Sequence, residues 1–263
     1  MVKRLKLATR AFGAEPDLPD AAVLAEWIAE HRGRMADIIT YRLDRSLAPQ
    51  VDAGIGLPCA GGKFYASRIR QCISGIRDNR AVGELHVDTP AILEDAAGIV
   101  LQKKGAWCAI PAPHVLGITD LYYDDEGEWN DAICGAYRTM MREMRDTGVA
   151  GHILVADRMD RAELANLARQ NVFFFAPVPC REDLATLMEF QHQVAVGKDR
   201  LQMAFDLMHE YTLRKICIIR PDQESINLAL DHLDPDQVVA GGYCTADCGE
   251  YWKTLAADAF CER

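Results

Sequence analysis

The segment 84–88 places two carboxylates and a histidine at alternating positions of a short run. Side chains alternate between the two faces of a β-strand, so Glu84, His86 and Asp88 would share one face and the two apolar residues between them the other. A carboxylate beside a histidine raises the pKa of the imidazole, which suits proton transfer. We therefore predict His86 and Asp88 as catalytic residues. The alternative interpretation is an edge strand with one solvated face.

Charged or polar residues also follow several other apolar runs. His114 comes shortly after the run 106–111, and Asp157 ends the run 151–157, so both are further candidates for general acid–base catalysis. Lys198 and Arg220 follow two later runs and would hold an anionic group of a ligand. The alternative is that these residues cap helices or lie in solvated loops.

Two glycine pairs suggest contacts with an anion. Gly241 and Gly242, followed by Tyr243, lie at the end of the last apolar run and before a helix expected near Asp247. Loop amides and a helix N-terminus can bind phosphate there, so we predict these three residues as ligand contacts. Close backbone packing is the alternative explanation for the glycines.

The second pair, in 61–63, ends with a lysine and could form an anion-binding turn. It does not match the phosphate-binding loop of nucleoside triphosphatases, because Leu57 and Phe64 stand where Gly and Ser or Thr are needed. No G-x-G-x-x-G pattern follows a predicted strand. The sequence therefore identifies no cofactor.

Nine cysteines are spread along the chain, and their odd number without an export signal indicates reduced thiols in a cytoplasmic protein. Cys244, Cys248 and Cys261 suggest a metal–thiolate site, but they lack the paired spacing and the histidine typical of zinc sites, so no metal ligand is assigned. Cys180 follows Pro179 at a predicted strand end. A helix N-terminus there would lower its pKa and make the thiol reactive.

The elements that would position these residues repeat in the second half of the chain. Apolar runs start at residues 151, 172, 193, 215 and 238, so successive starts lie 21 to 23 residues apart, and amphipathic helical patterns fill the intervals. Such βα repeats predict an α/β fold with a parallel sheet. We expect a (β/α)8 barrel, with an open doubly wound sheet as the alternative. Ligands bind at the carboxyl ends of the strands in either one.

The first half follows this scheme less regularly. The patterns predict strands over 5–10, 37–43, 84–88 and 106–111, and helices over 20–34, 65–79, 90–104 and 129–147. No linker composition divides the chain, so residues 1–263 are predicted to form a single α/β domain.

The composition limits the classes of partner. Of the 263 residues, 49% are apolar, and the formal net charge of −10 argues against binding to nucleic acid or to an anionic membrane surface. No apolar run approaches the ~18 residues of a membrane-spanning helix. A small anionic ligand is the expected partner, and homo-oligomerisation stays open.

These observations favour an enzyme that acts on a small anionic metabolite, phosphorylated or not, by general acid–base chemistry at the strand carboxyl ends. The alternative is a non-catalytic α/β scaffold that serves as a subunit or a regulatory binding protein. If acidic, basic and cationic side chains come together at the carboxyl ends of the strands, the enzyme is favoured over the non-catalytic scaffold.

Overall fold

The computed structural model describes residues 4–245 and 248–262, without the side chain of Glu262. Asp247, near which the last helix was expected to begin, lies outside these ranges. The strands are β1 (Arg4–Lys6), β2 (Ala8–Ala14), β3 (Cys59–Gly61), β4 (Ile73–Arg77), β5 (Arg80–Val87), β6 (Trp107–Pro111), β7 (Thr119–Asp120), β8 (His152–Val155), β9 (Val172–Phe175), β10 (Gln193–Gly197), β11 (Lys215–Ile219), β12 (Val238–Cys244) and β13 (Phe260–Glu262). The helices are α1 (Ala21–Glu30), α2 (Ile38–Asp52), α3 (Ala66–Gln71), α4 (Pro90–Gln102), α5 (Glu126–Thr147), α6 (Arg161–Leu167), α7 (Arg181–Phe190), α8 (Leu201–Asp206), α9 (Gln223–Leu230) and α10 (Cys248–Asp258).

Two four-stranded parallel sheets form the centre of the molecule. One has the order β10–β11–β12–β2 and the other β3–β6–β8–β9, and a parallel bridge between Arg10 and Leu57 joins them. Phe12 on β2 packs against Phe173 and Phe175 on β9, with ring centroids 5.3 and 5.0 Å apart. Strands β2 and β9, the first and fifth of the two central sheets when counted along the chain, therefore face each other across the interior. The chain has the (β/α)8 barrel-like architecture that the repeat predicts.

Two glutamine side chains complete the hydrogen bonding where adjacent barrel strands separate. No backbone ladder joins β9 to β10 in the described ranges. Gln191 spans this gap, since its amide accepts from Phe174 N–H (2.9 Å) and donates to the carbonyl oxygens of Phe174 (3.2 Å) and Gln193 (2.6 Å). Gln50 on α2 similarly accepts from Cys59 N–H (2.7 Å) and donates to the Cys59 carbonyl (2.8 Å). Side-chain amides thus satisfy buried backbone groups that a strand would otherwise pair.

The regular second half matches the sequence pattern. Strands β8 to β12 occupy the five predicted apolar runs, and helices α6 to α9 lie between them. Asp160 accepts hydrogen bonds from the N–H groups of Ala162 and Glu163, and Asp222 accepts from Ser225 N–H, so both cap helices. These caps fix the position at which each chain segment leaves the sheet.

Two predicted elements of the first half are wrong, and a third is a strand, as predicted, but lies outside the barrel. Residues 37–43 begin α2 instead of a strand, because Asp37 and Thr40 form a capping box. The predicted helix 65–79 ends at Gln71 and continues as β4. The segment 84–88 lies mostly in β5, which pairs antiparallel with β4 in a hairpin outside the barrel. Both residues of the hairpin turn, Asp78 and Asn79, have positive φ.

The expectation that the thiols are all reduced is also corrected. Cys244 at the end of β12 and Cys248 at the start of α10 form a disulfide, with Cα atoms 5.8 Å apart. Cys261 is a free, fully buried thiol, so these three cysteines do not form a shared metal site in the structure. In the described ranges, none of the helices combines the length and apolar character needed to cross a bilayer.

Candidate active site at the strand carboxyl ends

His114 is the centre of a charged network at the carboxyl ends of β6 and β8. It lies in the 3-10 turn Pro113–Leu116, directly after β6. Its Nδ1 is 2.9 Å from Glu163 Oε2 on α6, and its Nε2 is 2.7 Å from Asp157 Oδ1, which follows β8. The His114 main-chain N–H also donates to Glu163 Oε1 at 2.7 Å. One carboxylate therefore fixes both the backbone and the ring of His114.

Burial and charge act in opposite directions on this histidine. Burial alone would lower the pKa of His114, but the hydrogen bond and negative charge of Glu163, together with Asp157, outweigh it and raise the pKa. Partial burial would raise the pKa of Asp157, yet the hydrogen bond from His114 holds it below its usual range. His114 is thus stabilised as an imidazolium that donates to two carboxylates. Asp157 is the exposed member, with 61% of its side chain accessible.

Glu15 organises the neighbouring part of the same rim. It follows β2, and its carboxylate accepts hydrogen bonds from Lys63 N–H, from Phe64 N–H at 3.3 Å and from the Tyr243 hydroxyl at 2.6 Å. Arg42 lies 3.7 Å away. The predicted anion-binding turn at 61–63 therefore does bind an anion, and that anion is a side chain of the protein. The charge of Lys63 also reaches Asp157 and helps to lower its pKa, which links this cluster to the His114 network.

A cavity of about 470 Å³ opens at the carboxyl ends of β10, β11 and β12. Lys198 Nζ and Asp222 Oδ2 are 2.6 Å apart at its edge, and this contact raises the pKa of Lys198 and lowers that of Asp222. Arg220 also lines the cavity, with its guanidinium 5.5 Å from the ring centroid of Tyr251. Arg220 has a φ of 55°, a backbone conformation that side-chain-bearing residues rarely adopt. It makes no ion pair within the described ranges.

The structure brings together some of the predicted site residues and separates others. His114 and Asp157 are in direct contact, and Lys198, Arg220 and Tyr243 line one cavity. His86 and Asp88 belong to the separate hairpin, where His86 is 68% exposed and its nearest charged neighbour is Glu84 at 3.8 Å. The solvated edge strand is therefore the interpretation that fits segment 84–88.

Gly241 and Gly242 lie within β12 rather than in a loop after it. Both pair with β2 in the ladder, opposite Arg10 and Ala11. A Cβ atom on Gly242 would collide with the ring of Trp252, and one on Gly241 would lie 3.2 Å from Phe12. Close packing accounts for both glycines.

Cys180 does not have the environment expected of a reactive thiol. It is exposed and forms the N-cap of α7, where its Sγ accepts from Asp183 N–H at 3.4 Å. The hydrogen bond with the Asp183 carboxylate raises the pKa of the thiol, against the lowering expected from a helix N-terminus. The acidic side chain of Asp183 therefore has a larger effect on the pKa of Cys180 than the helix N-terminus has.

Two central residues of the site were absent from the sequence prediction. Glu163 stands three residues after Asp160, which is the spacing of a helix capping box, so its position in the sequence favours a structural role. Glu15 follows a strand whose predicted end lay at Arg10. A longer strand, ending at Ala14, would have placed Glu15 among the residues at strand ends.

No group of three or more His, Cys, Asp or Glu side chains within residues 4–245 and 248–262 is arranged to hold a metal ion. The side chains at the rim supply a charged imidazole, exposed and buried carboxylates, and the cations Lys63, Lys198 and Arg220.

The whole chain resembles solved structures of two other proteins. It superimposes on a putative vitamin B12-independent methionine synthase from Listeria monocytogenes with a TM-score of 0.64 and 12% identity, over 96% of each chain. A B12-independent methionine synthase from Shewanella sp. W3-18-1, in complex with selenomethionine, gives a TM-score of 0.64 and 14% identity over 97% of this chain and 96% of the other. No protein-family model matches the sequence, and no curated protein matches it. At these identities the similarity establishes the fold.

Proposed function

We propose that the protein is an enzyme that acts on a small anionic metabolite at the carboxyl-terminal mouth of the barrel. The observation that carries the proposal is that the His114 network and the Arg220 cavity open at the same end of the parallel strands. Ligands of barrels of this kind bind at that end. The fold shared with two proteins described as methionine synthases supports an enzyme that takes a small metabolite as its substrate.

His114 is the proposed proton donor. Its pKa is raised, so the imidazolium is populated near neutral pH and can act as a general acid. Asp157 is exposed and occupies the Nε2 side of the ring, where an anionic atom of a ligand would take its place. Glu163 is buried against Nδ1 and acts as a positioning residue, because it keeps a proton on that nitrogen after Nε2 has given up its own.

Arg220 and Lys198 are the proposed anion contacts. The exposed guanidinium of Arg220 presents paired N–H donors that match a carboxylate or phosphate. Its unfavourable backbone conformation at the strand end is typical of positions where local strain serves a function. Lys198 pairs with Asp222 in the structure. When a ligand binds, the Lys198 ammonium would also contact its anionic group, and the contact with Asp222 would weaken.

Thermal unfolding in the presence of inorganic phosphate, methionine and small dicarboxylates tests the proposal. A compound that binds the native state raises the midpoint by mass action. We expect at least one compound to stabilise the wild type and to lose this effect in Arg220→Gln, which keeps a polar side chain but removes the guanidinium. Lys104→Gln, at an exposed site before β6 at the other end of the barrel, removes the same charge and serves as the control.

Turnover of the identified compound separates the enzyme from the alternative. The proposal expects His114→Gln to bind that compound and to lose turnover by about 100-fold or more, the typical contribution of a positioned acid. Equal stabilisation of the wild type and Arg220→Gln would contradict the placement of the site. Binding at the mouth without turnover by the wild type would favour a non-catalytic binding protein.

A further inference from the structure

A strongly basic cavity lies away from the mouth. It has a volume of about 640 Å³ and is bounded by the later turns of α5 and by the segment that joins α6 to β9. Both of these segments lie at the amino-terminal end of the barrel strands. Four arginines line it, and the described lining residues include no Asp or Glu: Arg138, Arg142, Arg145 and Arg169. Such a concentration of positive charge is unusual in a chain whose formal net charge is −10.

The arginines have weak or neutral partners. Arg138 donates to the amide oxygen of Asn166 at 3.2 Å, and Arg169 donates to the carbonyl of Ala168 at 2.7 Å. Arg142 contacts Glu143 at 3.1 Å from a side chain that is 62% exposed, so solvent screens this pair. The side chain of Arg145 makes no hydrogen bond or ion pair within the described ranges. Like charges brought together with only one exposed carboxylate partner among them repel one another, and a bound anion would relieve that repulsion.

The interior behind the cavity does not compensate this charge. His152 at the start of β8 is fully buried, and neither of its ring nitrogens has a hydrogen-bond partner in the described part of the chain. Burial, followed by the charge of Arg145, lowers the pKa of His152 to about 3. The imidazole is therefore neutral near physiological pH and adds no charge to the cavity. His152 therefore does not offset the positive charge of the arginines.

The remaining lining has the composition of a small-molecule site. Met141, Leu167 and Val172 are buried and give it an apolar wall, while Asn166 and Asn171 supply amide groups. The volume falls within the ~300–1,000 Å³ of typical ligand pockets. One phosphate is commonly bound by one or two arginines through paired hydrogen bonds, whereas four guanidinium groups match several phosphates.

We propose that this cavity binds a small organic polyphosphate, a molecule with at least two linked phosphate groups on a compact organic part. The phosphates would contact the arginines of α5 and Arg169, and the organic part would pack against the apolar wall. This site is separate from the proposed catalytic mouth, and the proposal holds whether or not the mouth is catalytic.

Isothermal titration with pyrophosphate, tripolyphosphate and ATP at constant ionic strength tests the proposal. We expect tripolyphosphate and ATP to bind the wild type, and Arg145→Gln and Arg169→Gln each to weaken binding by about tenfold, which corresponds to ~1.4 kcal/mol. Arg161→Gln is the matched control, because Arg161 lies on α6 outside the cavity, is 63% exposed and pairs with Glu189. It should change the Kd by less than about twofold. Arg145→Lys, which keeps the charge but not the paired donors, should bind more tightly than Arg145→Gln.

Several outcomes would overturn the proposal. The first is that neither tripolyphosphate nor ATP binds the wild type. The second is that Arg161→Gln weakens binding as much as the cavity variants do. The third is that Arg220→Gln weakens binding, which would place the phosphates at the mouth. Binding of polyglutamate in preference to both phosphate probes would indicate an acidic peptide instead. If Arg145→Gln does not fold, Arg142→Gln carries the same test, since its exposed side chain has no role in core packing.

Discussion

Glu163 accepts two hydrogen bonds from His114, one from the main-chain N–H at 2.7 Å and one from Nδ1 at 2.9 Å, although the residues lie 49 positions apart. Both side chains are at least nine-tenths buried. A buried carboxylate is costly unless it is paired and hydrogen-bonded, and His114 supplies both the charge and the donors. The contact also fastens the turn after β6 to helix α6, so the site and the local fold depend on the same pair.

Replacement of Glu163 should change the ionisation of His114. In Glu163→Gln the ring loses a negative charge but keeps a hydrogen-bonding neighbour, so the pKa of His114 is expected to fall below its wild-type value. The imidazole proton shifts in an NMR titration measure this change. Glu189→Gln, on the exposed pair with Arg161, should leave the His114 titration unaltered. An unchanged pKa in Glu163→Gln would show that Glu163 does not stabilise the imidazolium.

The network should also shape the dependence of stability on pH. His114 has a raised pKa in the folded protein, so its contribution is complete below the unfolded value of about 6.5 and is lost as the pH rises through the folded value. Asp157 has a lowered pKa, so its contribution is present above about 3.9 and is lost as the pH falls through the folded value. The joint contribution is therefore largest between about pH 4 and 6.5.

Urea unfolding of the wild type and His114→Gln between pH 5 and 9 measures this contribution. The difference in the free energy of unfolding should be about 2 kcal/mol near pH 6, the size of hydrogen bonds to charged groups, and should shrink toward pH 9. His86→Gln, at a position that is 68% exposed, should show a small difference at every pH. A difference for His114→Gln that grows with pH would contradict the predicted charge state.

The repeated part of the fold was predictable because local pattern and tertiary structure agree there. Strands such as β8 and β11 are short apolar runs that are buried on both faces, and their period reports the βα unit directly. The predicted strand at 37–43 failed because Ile38 and Ile39 favour strands locally, while the capping box of Asp37 and Thr40 starts a helix whose apolar side packs on the barrel. Tertiary packing and capping outweighed propensity at this position.

The candidate site was predictable in its location but only partly in its members. The rule that ligands bind at strand carboxyl ends selected His114, Asp157 and Arg220, and the structure places all three at that end of the strands. It could not identify Glu163, whose carboxylate contacts His114, because that contact joins segments distant in sequence. It also selected Asp88, because the alternation in segment 84–88 is the same for a barrel strand and for a solvated hairpin.

Gln191 should be essential to the closure of the barrel. Gln191→Leu keeps much of the side-chain volume but leaves the N–H of buried Phe174 without its acceptor, and it removes two further hydrogen bonds across the gap. We expect a loss of about 2–4 kcal/mol in the free energy of unfolding. Gln202→Leu on α8 breaks an exposed contact with Asp206 and should change stability by less than about 0.5 kcal/mol. If both substitutions had similarly small effects, the backbone groups at the gap between β9 and β10 would not need a side chain as hydrogen-bond partner.

Gly62 should control the position of Glu15. A Cβ atom at residue 62 would collide with the Ala14 carbonyl and with Glu15 Oε1, so Gly62→Ala is expected to push the carboxylate away from the amides of Lys63 and Phe64. The hydroxyl of Tyr243 would then lose its acceptor as well. We expect Gly62→Ala to destabilise the protein by about 2–3 kcal/mol, as substitutions that overfill packed sites do.

A double-mutant cycle distinguishes this mechanism from a general steric effect. Tyr243→Phe should cost about 1–2 kcal/mol in the wild type, where it removes a hydrogen bond to a charged acceptor. In the Gly62→Ala background that hydrogen bond is already broken, so the same substitution should cost clearly less, and the two changes should couple by at least about 0.5 kcal/mol. Additive effects in urea unfolding would instead mean that Glu15 keeps its contact with Tyr243 when Gly62 is replaced, and that the turn and the carboxylate are positioned independently.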